Sequence, residues 1–231
     1  MKNEVVKERL SFAELPGLME EMSGDEKHDH SAASTLDVLW VLYDQVLRIS
    51  PDSVADDDRD RFLLSKGHAP KAFYAVLAAK GFIDLAELPG FGTFGSILGH
   101  HPDRNLITGV EISSGSLGHG LPIGVGVALG LRARGKTSRV FVLVGDGELD
   151  EGSNHEAIAF AGAVGLDRLT VIAVDNSSST YGWSGGVETR FSREGWSAAR
   201  VNGRDHQALA QALSAAHPGV PRLVAAVIDP S

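Results

Sequence analysis

The sequence predicts an α/β fold, a doubly wound parallel sheet flanked by helices, on three observations. Two segments, 139–144 and 169–174, are short, β-rich and almost wholly apolar, as strands buried on both faces are. Between them 153–165 is alanine-rich, helical in pattern and stopped by Gly165. Strand and helix patterns then keep alternating on either side of this unit. A strand–helix–strand crossover is right-handed, so the loops after both strands open on one carboxyl edge of the sheet.

The remaining elements follow in order. Residues 1–30 read as an N-terminal helical extension, with one or two helices punctuated by Pro16-Gly17 and a charged loop over 24–30; the main domain is expected over 31–231. Positions 36–47 carry apolar residues at helical spacing and stop before Pro51. The acidic stretch 52–60 reads as a solvated connection without a function. A short strand at 62–65 leads into Lys66-Gly67-His68, then a helix at 70–80 and a glycine-rich loop at 90–105. A helix over 115–134 is expected to start at Ser116, a good capping residue. Past the central crossover come a loop at 177–186, a short helix at 188–195 and a strand at 197–201. A helix capped by Asp205 and a final strand at 223–228 complete the chain. There is no internal repeat and no low-complexity tract.

Bulk properties bound the function. The 231 residues are enough for one good-sized domain, and a formal net charge of -9 argues against a nucleic-acid-binding face. With no cysteine, disulfides and thiolate chemistry are excluded. The charged N-terminus has no apolar signal core, and 117–131 is too short and glycine-rich to span a bilayer. A soluble cytoplasmic protein is expected, with neither nucleic acid nor membrane as partner.

The chemistry concentrates at Val144-Gly145-Asp146-Gly147-Glu148 and, thirty residues beyond Asp146, at Asn176. One strand ends in a carboxylate between two glycines and the next ends in a carboxamide. Glycines let the backbone approach phosphate oxygens, and the following helix points its N-terminus at the anion. Asp146 and the Asn176 side-chain oxygen are donors that Mg²⁺ or Ca²⁺ accepts, with phosphates completing the shell. As an isolated tripeptide, Gly-Asp-Gly would be an ordinary turn; the second strand with its terminal Asn favours the metal–diphosphate reading.

Gly145-Asp146-Gly147 with Asn176 resembles the thiamine diphosphate signature. The strings Ser65-Lys66-Gly67-His68, His101-Pro102, Gly115-Ser116-Leu117-Gly118 and Gly145 to Gly152 with Glu156 are similar to those of the transketolase family, in that family's order, from about residue 35 onward. The resemblance implies that Asp146, Asn176 and the backbone carbonyl of Ser178 ligate the divalent ion, and that Gly145, Gly147 and His68 lie at the diphosphate. It places Gly115, Ser116 and Leu117 against the aminopyrimidine and gives His68 and His101 roles at phosphate and substrate, with His100 ranked below His101. His28 matches a substrate-binding histidine, although the family's Pro and Gly are replaced by Asp29 and His30, so His30 is the alternative. Glu151, among the cofactor-linked residues, and Glu156 are placed at a subunit interface. The run after Asn176, Ser177-Ser178-Ser179-Thr180, departs from the family's bulkier residues.

The implied activity is transfer of a two-carbon ketol unit from a ketose to an aldose, dependent on thiamine diphosphate and Mg²⁺. The family's activating glutamate belongs to a pyrimidine-binding domain beyond this chain, and the basic segment with a further histidine after the last strand is also missing. The expectation is therefore an N-terminal subunit, inactive alone, of a split transketolase. Its C-terminal partner subunit would supply that domain, in an assembly with two of each chain. The alternatives are an α subunit of a 2-oxo acid dehydrogenase complex, or a non-enzymatic subunit that kept the fold. A nucleotide-binding oxidoreductase, suggested by the glycines at 124–130, is disfavoured because that pattern falls inside a helix.

Overall fold

A computed structural model describes residues 10–23, 29–68, 70–180 and 182–228, and of 29–32 the backbone alone. Strands β1 (Arg61–Leu64), β2 (Val140–Gly145), β3 (Leu169–Asp175), β4 (Ser197–Asn202) and β5 (Arg222–Val227) form one parallel sheet in the order β1-β2-β3-β5-β4. Leu64 pairs with Leu143, Gly145 with Val174 and Asp175 with Val227, so the tips of the three central strands finish level with one another.

Side-chain alternation assigns each face its helices. Phe62, Phe141, Leu143, Ile172 and Val224 join one core with helices α1 (Leu15–Glu21), α2 (Asp29–Val41), α3 (Lys71–Ala79) and α7 (His206–Ser214). Leu63, Val142, Val144, Val171 and Leu223 join the other with α4 (Gly120–Ala133), α5 (Gly152–Ala163) and α6 (Gly186–Arg193). All of β2 is buried, each Val or Leu there contributing about 1.5–3 kcal/mol. This is the doubly wound sheet expected from the apolar runs.

Four local expectations are corrected. Pro16-Gly17 does not punctuate a helix; Pro16 occupies the first turn of α1, where its missing N–H costs nothing, and Leu15 and Met22 at the ends of that helix are core residues. The helix expected over 36–47 starts at Asp29 and ends in a π turn, Leu42–Val46. Within the expected loop at 24–30, residues 24–28 lie outside the described residues. Ser116 does not begin α4, which starts at Gly120, because Gly118 turns the chain with φ +80°. Finally, 52–60 is more than a solvated connection. Asp60 is fully buried and accepts from Arg48 N and Nη2 and from Arg139 N, Nε and Nη2 at 2.6–3.1 Å. It fastens the chain entering β1 to the chain entering β2. Burial alone would raise its pKa, but these donors hold it at about 2.

Candidate functional site

Asp146 follows β2 directly and is 2% exposed, its amide donating to Val174 O at 3.0 Å. Ser177, the one non-glycine residue at positive φ among those described, turns the chain after β3 back over it. The Asp146 carboxylate consequently accepts from Ser178 N at 2.6 Å, from Ser179 N at 3.0 Å and from the Ser178 hydroxyl. Gly147 lies under the same loop: a Cβ there would sit 3.3 Å from Ser178 Oγ and 3.4 Å from the Ser178 carbonyl oxygen. Asn176 is half-buried at the tip of β3, two residues before Ser178.

These donors suit a small hard cation. Among the described residues, no three His, Cys, Asp or Glu side chains cluster so as to hold a metal by themselves. One carboxylate with neutral amide and carbonyl oxygens is the limited protein shell that Mg²⁺ takes when phosphates supply the rest. A carboxylate has about four acceptor positions, and three are used by the serine loop. The serines at 178 and 179 are thus the elements that fix Asp146 in place. Ser179 Oγ and Thr180 N in turn donate to Asp150, and Arg190 stacks 4.1 Å over Trp183 while donating to Leu149 O.

A second buried carboxylate, Glu148, holds the neighbouring loops. It is 3% exposed and accepts from the Ser65 hydroxyl at the end of β1, from Gly118 N at 2.9 Å and from Gly145 N at 3.3 Å. Ser65 Oγ accepts from Gly120 N at 3.0 Å, and Ser153 Oγ donates to Gly118 O at 2.6 Å. Burial raises the Glu148 pKa, opposed by Ser65, the amides of Gly118 and Gly145, and Lys66. Lys66 is 5% exposed; its stem lies along Gly145 and its ammonium is 3.3 Å from Ser34 Oγ on α2. Burial lowers its pKa to about 8 against the pull of Asp146 and Glu148.

The loops carrying the candidate histidines meet next to this centre. A Cβ on Gly67 would strike Ser114 Oγ at 2.4 Å and approach Gly115 N at 3.1 Å, and one on Gly115 would lie 3.4 Å from the His101 ring. Ser114 Oγ is buried without a hydrogen-bond partner among the described residues. Glycine at 67 and 115 therefore brings His68, His101 and the 115–117 strip into one neighbourhood. His100 turns elsewhere, its ring edge-on to Phe91 at 5.3 Å. Ser116 is exposed and Leu117 half-buried, its carbonyl accepting from His119 Nδ1. Glu151 precedes α5 with its side chain against Gly118, and Glu156 is exposed on α5. His28 lies outside the described residues, as does the side chain of His30.

Sequence reasoning passed over Ser65, Lys66, Glu148 and Asp150 as functional residues. All four lie within 65–68 or 145–152, and polar or charged residues directly after wholly apolar strands are the signal that marks them.

Three comparisons bear on this arrangement. Residues 20–226 match the family model described as transketolase, thiamine diphosphate binding domain. A Rhodococcoides fascians protein named ferredoxin fas2 is 56% identical over 220 residues, 95% of this chain and 72% of that relative. A Phocaeicola vulgatus protein, named as one of the subunits of an apulose-4-phosphate transketolase, is 39% identical over 176 residues, 74% of this chain and 62% of the relative. A Clostridium protein, named as a subunit of a 6-deoxy-6-sulfo-D-fructose transketolase, is 31% identical over 195 residues, 82% of this chain and 71% of the relative. Among solved structures, transketolase from Leishmania mexicana superposes with a TM-score of 0.76 at 25% identity. That from Campylobacter jejuni gives 0.77 at 27%. They cover 95% and 94% of this chain, which spans only 37% and 38% of theirs.

Proposed function

The chain belongs to the transketolase thiamine diphosphate-binding domain family, and we propose that it is the diphosphate-anchoring subunit of a split transketolase. The observation that carries the site assignment is the clasp between Asp146 and the Ser178 loop across the tips of β2 and β3. Asp146, the Asn176 amide oxygen and the Ser178 carbonyl would hold Mg²⁺, or Ca²⁺ in its place. Gly145, Gly147 and His68 would receive the diphosphate and Gly115, Ser116 and Leu117 the aminopyrimidine. Bound thiamine diphosphate supplies a nucleophilic carbon and an electron sink for breaking a carbon–carbon bond. This chain's own part is to fix the cofactor's anionic end and to place His68 and His101, with His28 from the preceding segment, where protons move on the sugar hydroxyls.

The reading requires a partner subunit carrying the pyrimidine-binding domain and the activating glutamate, in an assembly of two copies of each chain in the cytoplasm. Among the described residues no helix is long and apolar enough to cross a membrane. Glu151 and Glu156 would lie where subunits meet. A ketose donor and an aldose acceptor are the substrate classes; the sugars named for the relatives belong to those proteins. The ferredoxin name of one relative does not transfer through this segment, since iron–sulfur clusters are held by cysteine thiolates and these 231 residues contain none.

The test is co-expression with the protein encoded beside it, followed by a ketol-transfer assay with Mg²⁺ and thiamine diphosphate. Transfer by the complex is expected, and none by either protein on its own. Pyruvate decarboxylation without ketol transfer would reject the reading in favour of a 2-oxo acid dehydrogenase component.

A further inference from the structure

Lys66 has no place in the metal and diphosphate assignments, yet it is buried at the centre of the strand tips. It is the second residue past β1, its stem covers Gly145 and its ammonium reaches Ser34 on α2. Among the described residues, the carboxylates whose charges act on it are Asp146 and Glu148, both nearly inaccessible to water. Burying an ammonium is costly, and a packed apolar side chain would be more stable unless the charge has a task.

Two buried carboxylates without Lys66 form a strong attractor for any dication. With Lys66 in place its charge offsets part of theirs, and an arriving dication meets a cation of like sign. That repulsion is relieved when a diphosphate brings its own negative charge. We propose that Lys66 is a positioning residue that makes metal capture conditional on the diphosphate, standing in for the cation until both arrive. The inference rests on the functional reading above, and goes beyond it by assigning the order of loading to one side chain.

The experiment titrates Mn²⁺, as a paramagnetic substitute for Mg²⁺, into the full chain by electron paramagnetic resonance, first alone and then with thiamine diphosphate. For Lys66→Met, Mn²⁺ alone is expected to bind about tenfold more tightly than to the wild type, because a like charge has gone. The enhancement of Mn²⁺ binding by thiamine diphosphate should shrink by about the same factor. Lys66→Arg should behave as the wild type. A merely structural lysine would instead weaken both measurements together. That result, or Mn²⁺ affinity in Lys66→Met within twofold of the wild type, would overturn the proposal. Should Lys66→Met lose its circular dichroism spectrum, Lys66→Gln replaces it, keeping a hydrogen-bonding group for Ser34. Adding Asp146→Asn to the Met variant separates the two levels. Mn²⁺ binding that survives the second change overturns the metal site and the proposal together, whereas the outcomes above overturn the proposal alone.

Discussion

The Ser65 hydroxyl donates to the carboxylate of Glu148 across a separation of 83 residues, joining the tip of β1 to the turn that follows β2. The same carboxylate takes the amides of Gly118 and Gly145, so one side chain sets the spacing of three loops around the candidate site. Glu148→Gln keeps the shape but turns an NH₂ toward one of these donors. A loss of about 2 kcal/mol is expected, roughly 4–8 °C in thermal unfolding. Ser65→Ala and Glu148→Gln should be clearly non-additive in a double-mutant cycle, as residues of one network are; simple additivity would contradict the network.

Asp146→Asn is expected to abolish Mg²⁺-dependent binding of thiamine diphosphate in the assembled complex, measured by calorimetry. Ser178→Ala keeps the backbone carbonyl and loses only a hydroxyl on Asp146, so binding should stay within about threefold. Unchanged turnover in Asp146→Asn would contradict the metal assignment.

Asp60 makes acid stability testable. Its carboxyl is held at about 2, below the ordinary value of 3.8. A depressed carboxyl contributes stability that is fully present above the unfolded pKa and is lost as pH falls through the folded one. The contribution is about 2 kcal/mol and disappears between roughly pH 4 and pH 2. Asp60→Asn should be less stable at neutral pH and should show a flatter fall through that window in urea titrations. An unaltered acid limb would show that the Arg48 and Arg139 clasp does not act as described.

Two glycines of α4 should respond in opposite ways to alanine. A Cβ on Gly120 would stand 2.3 Å from Ser65 Cβ and 2.7 Å from its Cα, a backbone atom that cannot yield cheaply. Gly120→Ala should cost about 1–3 kcal/mol by forcing α4 away from β1. Gly126 has nothing within 4 Å, and Gly126→Ala should stabilise the helix by up to about 1 kcal/mol. Chemical denaturation of the two variants checks both signs.

The sheet was legible because buried parallel strands announce themselves as apolar runs, and the placement of Asp146 and Asn176 was legible because each directly follows one of them. What escaped depends on long-range contacts. Ser116 has the chemistry of a cap, but Gly118 must reach Glu148 and Ser153 before the helix can begin, and nothing local says so. Asp60 reads like its acidic neighbours until Arg48 and Arg139 converge on it. Lys66 was visible as a letter in a motif, while its burial follows from α2 and β2 closing over it. The three consecutive serines read as a departure from the family, and their role emerges once Ser177 folds them back onto Asp146.

That fold-back has a consequence for biosynthesis. A nascent chain that has released β1 and β2 from the ribosome while β3 is still in the exit tunnel carries Asp146 without any of the donors that Ser178 and Ser179 provide. If Asp146 holds the metal as proposed, cofactor capture waits until residues 177–179 have left the tunnel and folded back onto it. A transcript truncated ahead of Ser178 would leave the Asp146 carboxylate without the three hydrogen bonds that orient it.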